Sequence, residues 1–134
     1  MTRTYIGAID QGTTGTRFMV FDHGGQVVAN AYGQHRQVSS QPDRVEHDPI
    51  GIWETVERVV TRALAGAGVG PTDLDAIGVA NQRETVVVWD AASGAPVHNA
   101  IGWQDRRTAD RIEALDPETV AYVRERTGLE PDPY

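Results

Sequence analysis

A chain of 134 residues with 40% hydrophobic and 23% charged side chains has the composition of one domain able to bury a core. Its formal charge of -7, from 19 acidic residues against 12 basic ones that are all Arg, argues against a nucleic-acid surface, so an anionic ligand has to be held by local groups. The absence of Cys excludes disulfides, thiolate metal sites and Cys nucleophiles, and with neither an apolar leader nor a membrane span in the sequence the expected compartment is cytoplasmic.

In chain order, Thr4 to Ile9 suits a buried strand, Gln11 to Gly15 has turn chemistry, and Arg17 to Phe21 reads as a second strand. Asp22-His23-Gly24-Gly25 makes another tight turn into Val27 to Tyr32, so an antiparallel meander of three strands is expected, followed by a polar, irregular stretch from Gln34 to His47. Asp48-Pro49 predicts a helix start, with Asp48 as N-cap and Ile50, Trp53, Val56, Val60, Ala63 and Ala67 on the packed face. Glycines 66, 68 and 70 with Pro71 end it, and Ala76 to Ala80 is expected to lie inside a helix-flanked sheet, completing a strand-helix-strand crossover.

Thr85 to Trp89 and Val97 to Trp103 read as further extended segments around the turn Asp90 to Gly94. Two helices follow, one placing Ala109, Ile112 and Leu115 on one face, the other running from Asp116-Pro117 to Gly128 with Val120 and Val123 inward. The closing residues Glu130 to Tyr134 read as the middle of a longer protein.

Asp10-Gln11-Gly12-Thr13-Thr14-Gly15-Thr16-Arg17 carries the most chemistry. Gly12 and Gly15 permit a tight turn that brings backbone N–H groups toward an anion, the threonines add hydroxyl donors, Arg17 adds a guanidinium, and Asp10 is placed to orient a magnesium ion through water. A plain hairpin favours the same residue types. With no Lys there is no Walker A loop, and no Gly-x-Gly-x-x-Gly run follows a strand.

Asn81-Gln82-Arg83-Glu84-Thr85 stands at a strand end, where open sheets build sites, and Arg83 with Glu84 suits a polyhydroxylated ligand. A solvated turn with a surface ion pair is the alternative. Trp103 offers a ring for the C–H faces of a polyol or a core side chain, as expected of Trp53 and Trp89, and Arg106-Arg107 reads as an exposed first helical turn. The histidines show no metal-ligand spacing, and there is no Gly-x-Ser-x-Gly elbow.

Together, Asp10 to Arg17, Val45-Glu46-His47-Asp48-Pro49 with Trp53, Asn81 to Thr85, Trp103-Gln104-Asp105-Arg106-Arg107-Thr108, and Thr127-Gly128-Leu129 with Asp132-Pro133-Tyr134 closely resemble the amino-terminal part of the glycerol kinases, which belong to the FGGY carbohydrate kinases. The resemblance implies an α/β, ribonuclease H-like first domain of the actin, hexokinase and heat-shock 70 ATPase type, with a mixed sheet, flanking helices and a second domain that these residues do not include. It implies ATP-dependent phosphorylation of glycerol to sn-glycerol 3-phosphate, with ATP and Mg2+ as cofactors and a homo-oligomer for the full-length enzyme. Thr13, Thr14 and Arg17 match positions that contact nucleotide phosphates, Asp10 lies near the metal, Arg83, Glu84 and Tyr134 match polyol-hydroxyl ligands, and Trp103 matches the ring against the glycerol carbons.

Position 15, commonly Ser in the family, is Gly15 here. The family's catalytic Asp, adenine pocket and second domain lie beyond Tyr134, so the resemblance also implies that residues 1–134 alone are inactive. A kinase for another sugar or polyol, and a non-catalytic binding module or remnant, are the competing expectations.

Overall fold

A computed structural model describes residues 5–133. Strands β1 (Tyr5–Gln11), β2 (Gly15–Phe21) and β3 (Val27–Gln34) form the expected meander. Its second turn closes where Asp22 Oδ1 accepts from the N–H groups of Gly24 and Gln26, each at 2.9 Å, the Asx geometry that makes Asp a turn former. Two short strands, β4 (Gln37–Val38) and β5 (Glu46–His47), lie within the stretch expected to be irregular. They form because β5 is sandwiched between β4 and the distant β7 (Ala100–Ile101), a pairing that no local pattern announces.

Helix α1 (Pro49–Ala67) begins as expected, with the Asp48 carboxylate accepting from Ile50 N–H at 3.0 Å and Pro49 in the first turn. It ends on Gly68, whose φ of 64° is open to glycine at little cost. The buried stripe is Thr55, Val56, Val59, Ala63 and Leu64. Ile50 and Trp53 sit to one side of it, Trp53 remaining 59% exposed, so the expected packed face is rotated.

The chain then crosses to β6 (Leu74–Ala80), parallel to β1, giving the strand order β3-β2-β1-β6. Parallel addition beside β1 requires the crossover that α1 supplies. In β2, Thr16, Phe18 and Val20 are buried while Arg17 is exposed, which is the alternation of a sheet covered on one face. α1 packs across β2 and β3, and Phe18, Val20, Ala31, Val59, Ala63, Leu64 and Val69 form the core between them. The interior position expected for Ala76 to Ala80 is corrected: β6 ends the sheet order, and Val79 is 69% exposed.

The strand expected from Thr85 to Trp89 is also absent. Val86 makes one isolated bridge to Ile101 and Trp89 one to Pro96, because the loop from Asn81 to Asn99 has no continuous strand to pair with. Trp89 is exposed, contrary to its expected core role. Helices α2 (Ala109–Glu113) and α3 (Pro117–Thr127) lie at the expected places, α3 capped by Asp116 and ended by Gly128 at φ 73°. Neither contains a fully buried residue, so Val120 and Val123 are only half covered. No helix among the described residues is long and apolar enough to cross a membrane.

Candidate functional site

The β1–β2 turn, the residues following β6, the segment after β7 and the residue after Gly128 converge on one open cleft of about 630 Å³. Gly12, Thr13, Asn81, Gln82, Arg83, Glu84, Trp103 and Leu129 line it. Five residues expected to form a site (Gly12, Thr13, Arg83, Glu84 and Trp103) are therefore brought to one place from three separate segments. Trp103 joins two of those segments directly, its indole Nε1–H donating to Thr13 Oγ1 at 2.9 Å. Trp103 is 40% exposed, so its ring keeps an open face in a cleft wall and does not serve as core.

Thr13 is held from two further sides. His35 Nε2 and Gln37 Nε2 donate to its carbonyl oxygen at 3.0 and 3.2 Å. A carbonyl accepts only, so His35 carries its proton on Nε2. Burial lowers the His35 pKa from its ordinary value, with the Thr13 bond opposing. His47 packs edge-on against His35 at 5.3 Å, is fully buried, and is likewise pushed down by burial and then by its neighbour. The turn closes when Gly12 N–H donates to Gly15 O at 3.0 Å, so the Gly12 N–H is committed to the turn. The Thr13 hydroxyl accepts from Trp103, which leaves its own proton to donate.

Asp10, Thr14, Gly15 and Arg17 do not line the cleft but stand on the adjoining hairpin. Asp10 is exposed near the end of β1, paired in register with Arg17 on β2 and Ala80 on β6. Arg17 lies over the Tyr32 ring, 5.8 Å from its centroid, and enters no ion pair among the described residues. Gly15 is buried because a Cβ there would stand 2.5 Å from both Gly33 O and Tyr32 Oη. A side chain cannot occupy that space without moving backbone, so Gly15 is a packing requirement in this chain. Tyr134 lies outside the described residues.

Across the cleft, Glu84 has φ 59°, the only positive φ of a non-glycine among the described residues. Left-handed backbone at a residue with a Cβ costs of order 1 kcal/mol and concentrates at functional sites. Gln82, beneath it, is buried, donating to Gln11 Oε1 at 3.4 Å and accepting from Thr85 Oγ1 at 3.2 Å. It ties the end of β6 to the end of β1.

The wall bearing Trp103 is fixed by a buried ion-pair network. Asp105, 2% exposed, accepts from Val45 N–H at 2.9 Å, Arg107 N–H at 3.0 Å, and Arg107 Nε and Nη2 at 2.7 Å each. Arg107 Nη2 also donates to Glu46 Oε1 at 2.6 Å, and Asn99 donates to Glu46 Oε2 at 3.0 Å. Arg107 holds the Asp105 carboxyl down at about 2 against burial, and lowers Glu46 as well. Arg107 was expected to be an exposed helical residue, but it is anchored before α2 begins. Arg106 pairs with Asp132 at 2.8 Å and Thr108 Oγ1 donates to Pro133 O at 3.0 Å, which returns the tail to this side.

Sequence reasoning missed His35, Gln37, Tyr32, Asp105 and Leu129. Tyr32 was detectable in principle, since strand alternation puts it on the Arg17 face. Asp105 and Leu129 stand in the resembling segments without a site role assigned to them, whereas His35 and Gln37 depend on long-range pairing and carry no local signal.

Residues 5–134 match the N-terminal domain of the FGGY family of carbohydrate kinases. The chain belongs to that family, and its mixed sheet with flanking helix is part of the ribonuclease H-like first domain. It is 62% identical over 135 aligned residues to glycerol kinase of Haloarcula marismortui, covering all of this chain and 26% of that protein. The crystal structure of Plasmodium falciparum glycerol kinase with ADP matches with a TM-score of 0.84 and 27% identity, over 98% of this chain and 27% of that one. Gluconate kinase from Lactobacillus acidophilus matches with the same TM-score of 0.84 at 20% identity, over 95% of this chain and 25% of that one, and shows the fold alone. The chain spans about a quarter of the length of the curated relatives it matches.

Proposed function

We propose that this chain supplies one wall of a glycerol kinase cleft, in which the γ-phosphoryl group of ATP passes to a terminal hydroxyl of glycerol. The observation that carries this is the meeting of the threonine turn with Arg83, Glu84 and Trp103 in one cleft, locked by the Trp103–Thr13 hydrogen bond. Phosphoryl transfer depends on positioning two substrates and stabilising charge between them. A hydroxyl turn facing an aromatic and charged wall suits that task.

On the polyol side, the Glu84 carboxylate accepts a glycerol hydroxyl bond, the Arg83 guanidinium donates to one, Trp103 covers the carbon chain, and Tyr134 adds a phenol. On the phosphate side, Thr13 and Thr14 donate O–H groups, and Arg17, which enters no ion pair among the described residues, donates to an anionic oxygen. Asp10 is exposed and enters no ion pair among the described residues, as suits a carboxylate that holds magnesium through its water shell. Bound Mg2+ would neutralise phosphate charge there.

Glu84 is the one carboxylate among the described cleft-lining residues. It orients a hydroxyl in this reading, and the 134 residues alone are expected not to turn over. The whole enzyme would work in the cytoplasm as a homo-oligomer.

A chimera tests the function directly. This chain replaces the matching 135 residues of the Haloarcula marismortui glycerol kinase, and ATP-dependent phosphorylation is measured over a panel of polyols and sugars. Glycerol turnover within about ten-fold of the parent, a loss of roughly 1.4 kcal/mol in transition-state stabilisation, is the expected result. A folded chimera that binds MgADP but phosphorylates nothing would overturn the assignment, and preference for another sugar would move it to a different kinase of the family.

A further inference from the structure

We infer that the Tyr32 phenol is a phosphate-contacting group of the β1–β2 hairpin, donating its O–H to a non-bridging phosphate oxygen beside Thr14 and Arg17. The inference rests on the phosphoryl-transfer function proposed above and adds to it a residue on β3.

The placement follows from register. Asp10 pairs with Arg17 and Arg17 pairs with Tyr32, so the three residues form one row across β1, β2 and β3. Their face is opposite to the one on which Thr16, Phe18 and Val20 are buried under α1. The Tyr32 ring leans along the strand toward the turn, because the glycine at position 15 leaves room. A Cβ on Gly15 would lie 2.5 Å from Tyr32 Oη and 2.7 Å from Cζ. The phenol oxygen thus fills space at the base of the turn that a side chain at position 15 would otherwise occupy.

Two contacts aim it. Thr14 Oγ1 lies 3.5 Å from Tyr32 Oη, a length at the outer limit of a hydrogen bond, so both hydroxyls remain able to turn to a stronger acceptor. Arg17 lies over the ring at 5.8 Å from the centroid, which sets a cation beside the phenol. A phenol O–H, a threonine O–H and a guanidinium converge at one turn, and all three are donors of the kind that phosphate oxygens accept. Tyr32 as a whole is left 42% exposed.

The test is Tyr32→Phe in the chimera described above, which removes one oxygen and keeps the ring under Arg17. The expected result is a rise in KM for ATP and in Kd for MgADP of about ten- to 150-fold, the usual range for losing a hydrogen bond to a charged group, with KM for glycerol and the melting temperature unchanged. An ATP KM within two-fold of the unsubstituted chimera overturns the inference and leaves the kinase function standing. Parallel loss of glycerol affinity or of thermal stability also overturns it, since that marks a structural role for the phenol. An unsubstituted chimera that shows no ATP-dependent phosphorylation removes the proposed function, and this inference with it.

Discussion

Replacing Asp105 by Ala takes the centre out of the network that holds the Trp103 wall. Four donors lose their acceptor at once: Val45 N–H, Arg107 N–H, and the Nε and Nη2 of Arg107. Breaking a buried ion pair costs about 3–5 kcal/mol when the surviving charge is sealed from water. The Arg107 side chain is 22% exposed and keeps its bond to Glu46, so water and that carboxylate recover part of the loss, and about 2–4 kcal/mol remains.

For a domain of this size that corresponds to a fall in melting temperature of roughly 10 °C, measurable by circular dichroism at pH 7. Asp105→Asn restores shape but not charge and should recover part of the difference. The pH dependence has a definite sign: the folded-state pKa of Asp105 is lowered from 3.8 to about 2, so its contribution is complete above about pH 4 and fades as pH falls toward 2. The gap in melting temperature between the native chain and Asp105→Asn should therefore be widest near neutrality and narrow in acid. A change below about 2 °C for Asp105→Ala, or a gap that widens in acid, would refute the assignment of stability to this network.

Gly15→Ala introduces a Cβ 2.5 Å from the Gly33 carbonyl oxygen as well as from the Tyr32 phenol. The expected loss is about 1–3 kcal/mol by chemical denaturation, and adding Tyr32→Ala should relieve only part of it, because the Gly33 contact is with backbone. Asp48→Ala removes the acceptor for Ile50 N–H at the start of α1 and should cost about 1 kcal/mol, read as a lower denaturant midpoint with an unchanged slope.

The elements governed by short-range chemistry were legible from the residues. Asp48-Pro49 and Asp116-Pro117 start helices, Gly68 and Gly128 end them, and Asp22 closes the second turn. The readings that failed share one physical cause. Apolar runs at Ala76 to Ala80 and Thr85 to Trp89 look like strands whether or not a neighbour covers or pairs them, and the neighbour is a matter of topology. On α1 the spacing announced a helix, but which side faces the sheet depended on where β2 and β3 lie, and Trp53 was left outside.

The chemistry at the candidate site divides in the same way. Residue types at Thr13, Arg83-Glu84 and Trp103 indicated hydroxyl donors, a charged pair and an aromatic face from sequence alone, because those properties belong to side chains. That they share one cleft was decided by the tertiary structure, which brings Trp103 to Thr13 across 90 residues and Gln82 to Gln11 across 71. The burial of Asp105, the lowered pKa of His35 and the nearness of Tyr32 to Gly15 were decided there too. Helix caps and tight turns act over a few residues along the chain, whereas desolvation, ion pairing and steric exclusion act between atoms that only the completed fold makes neighbours.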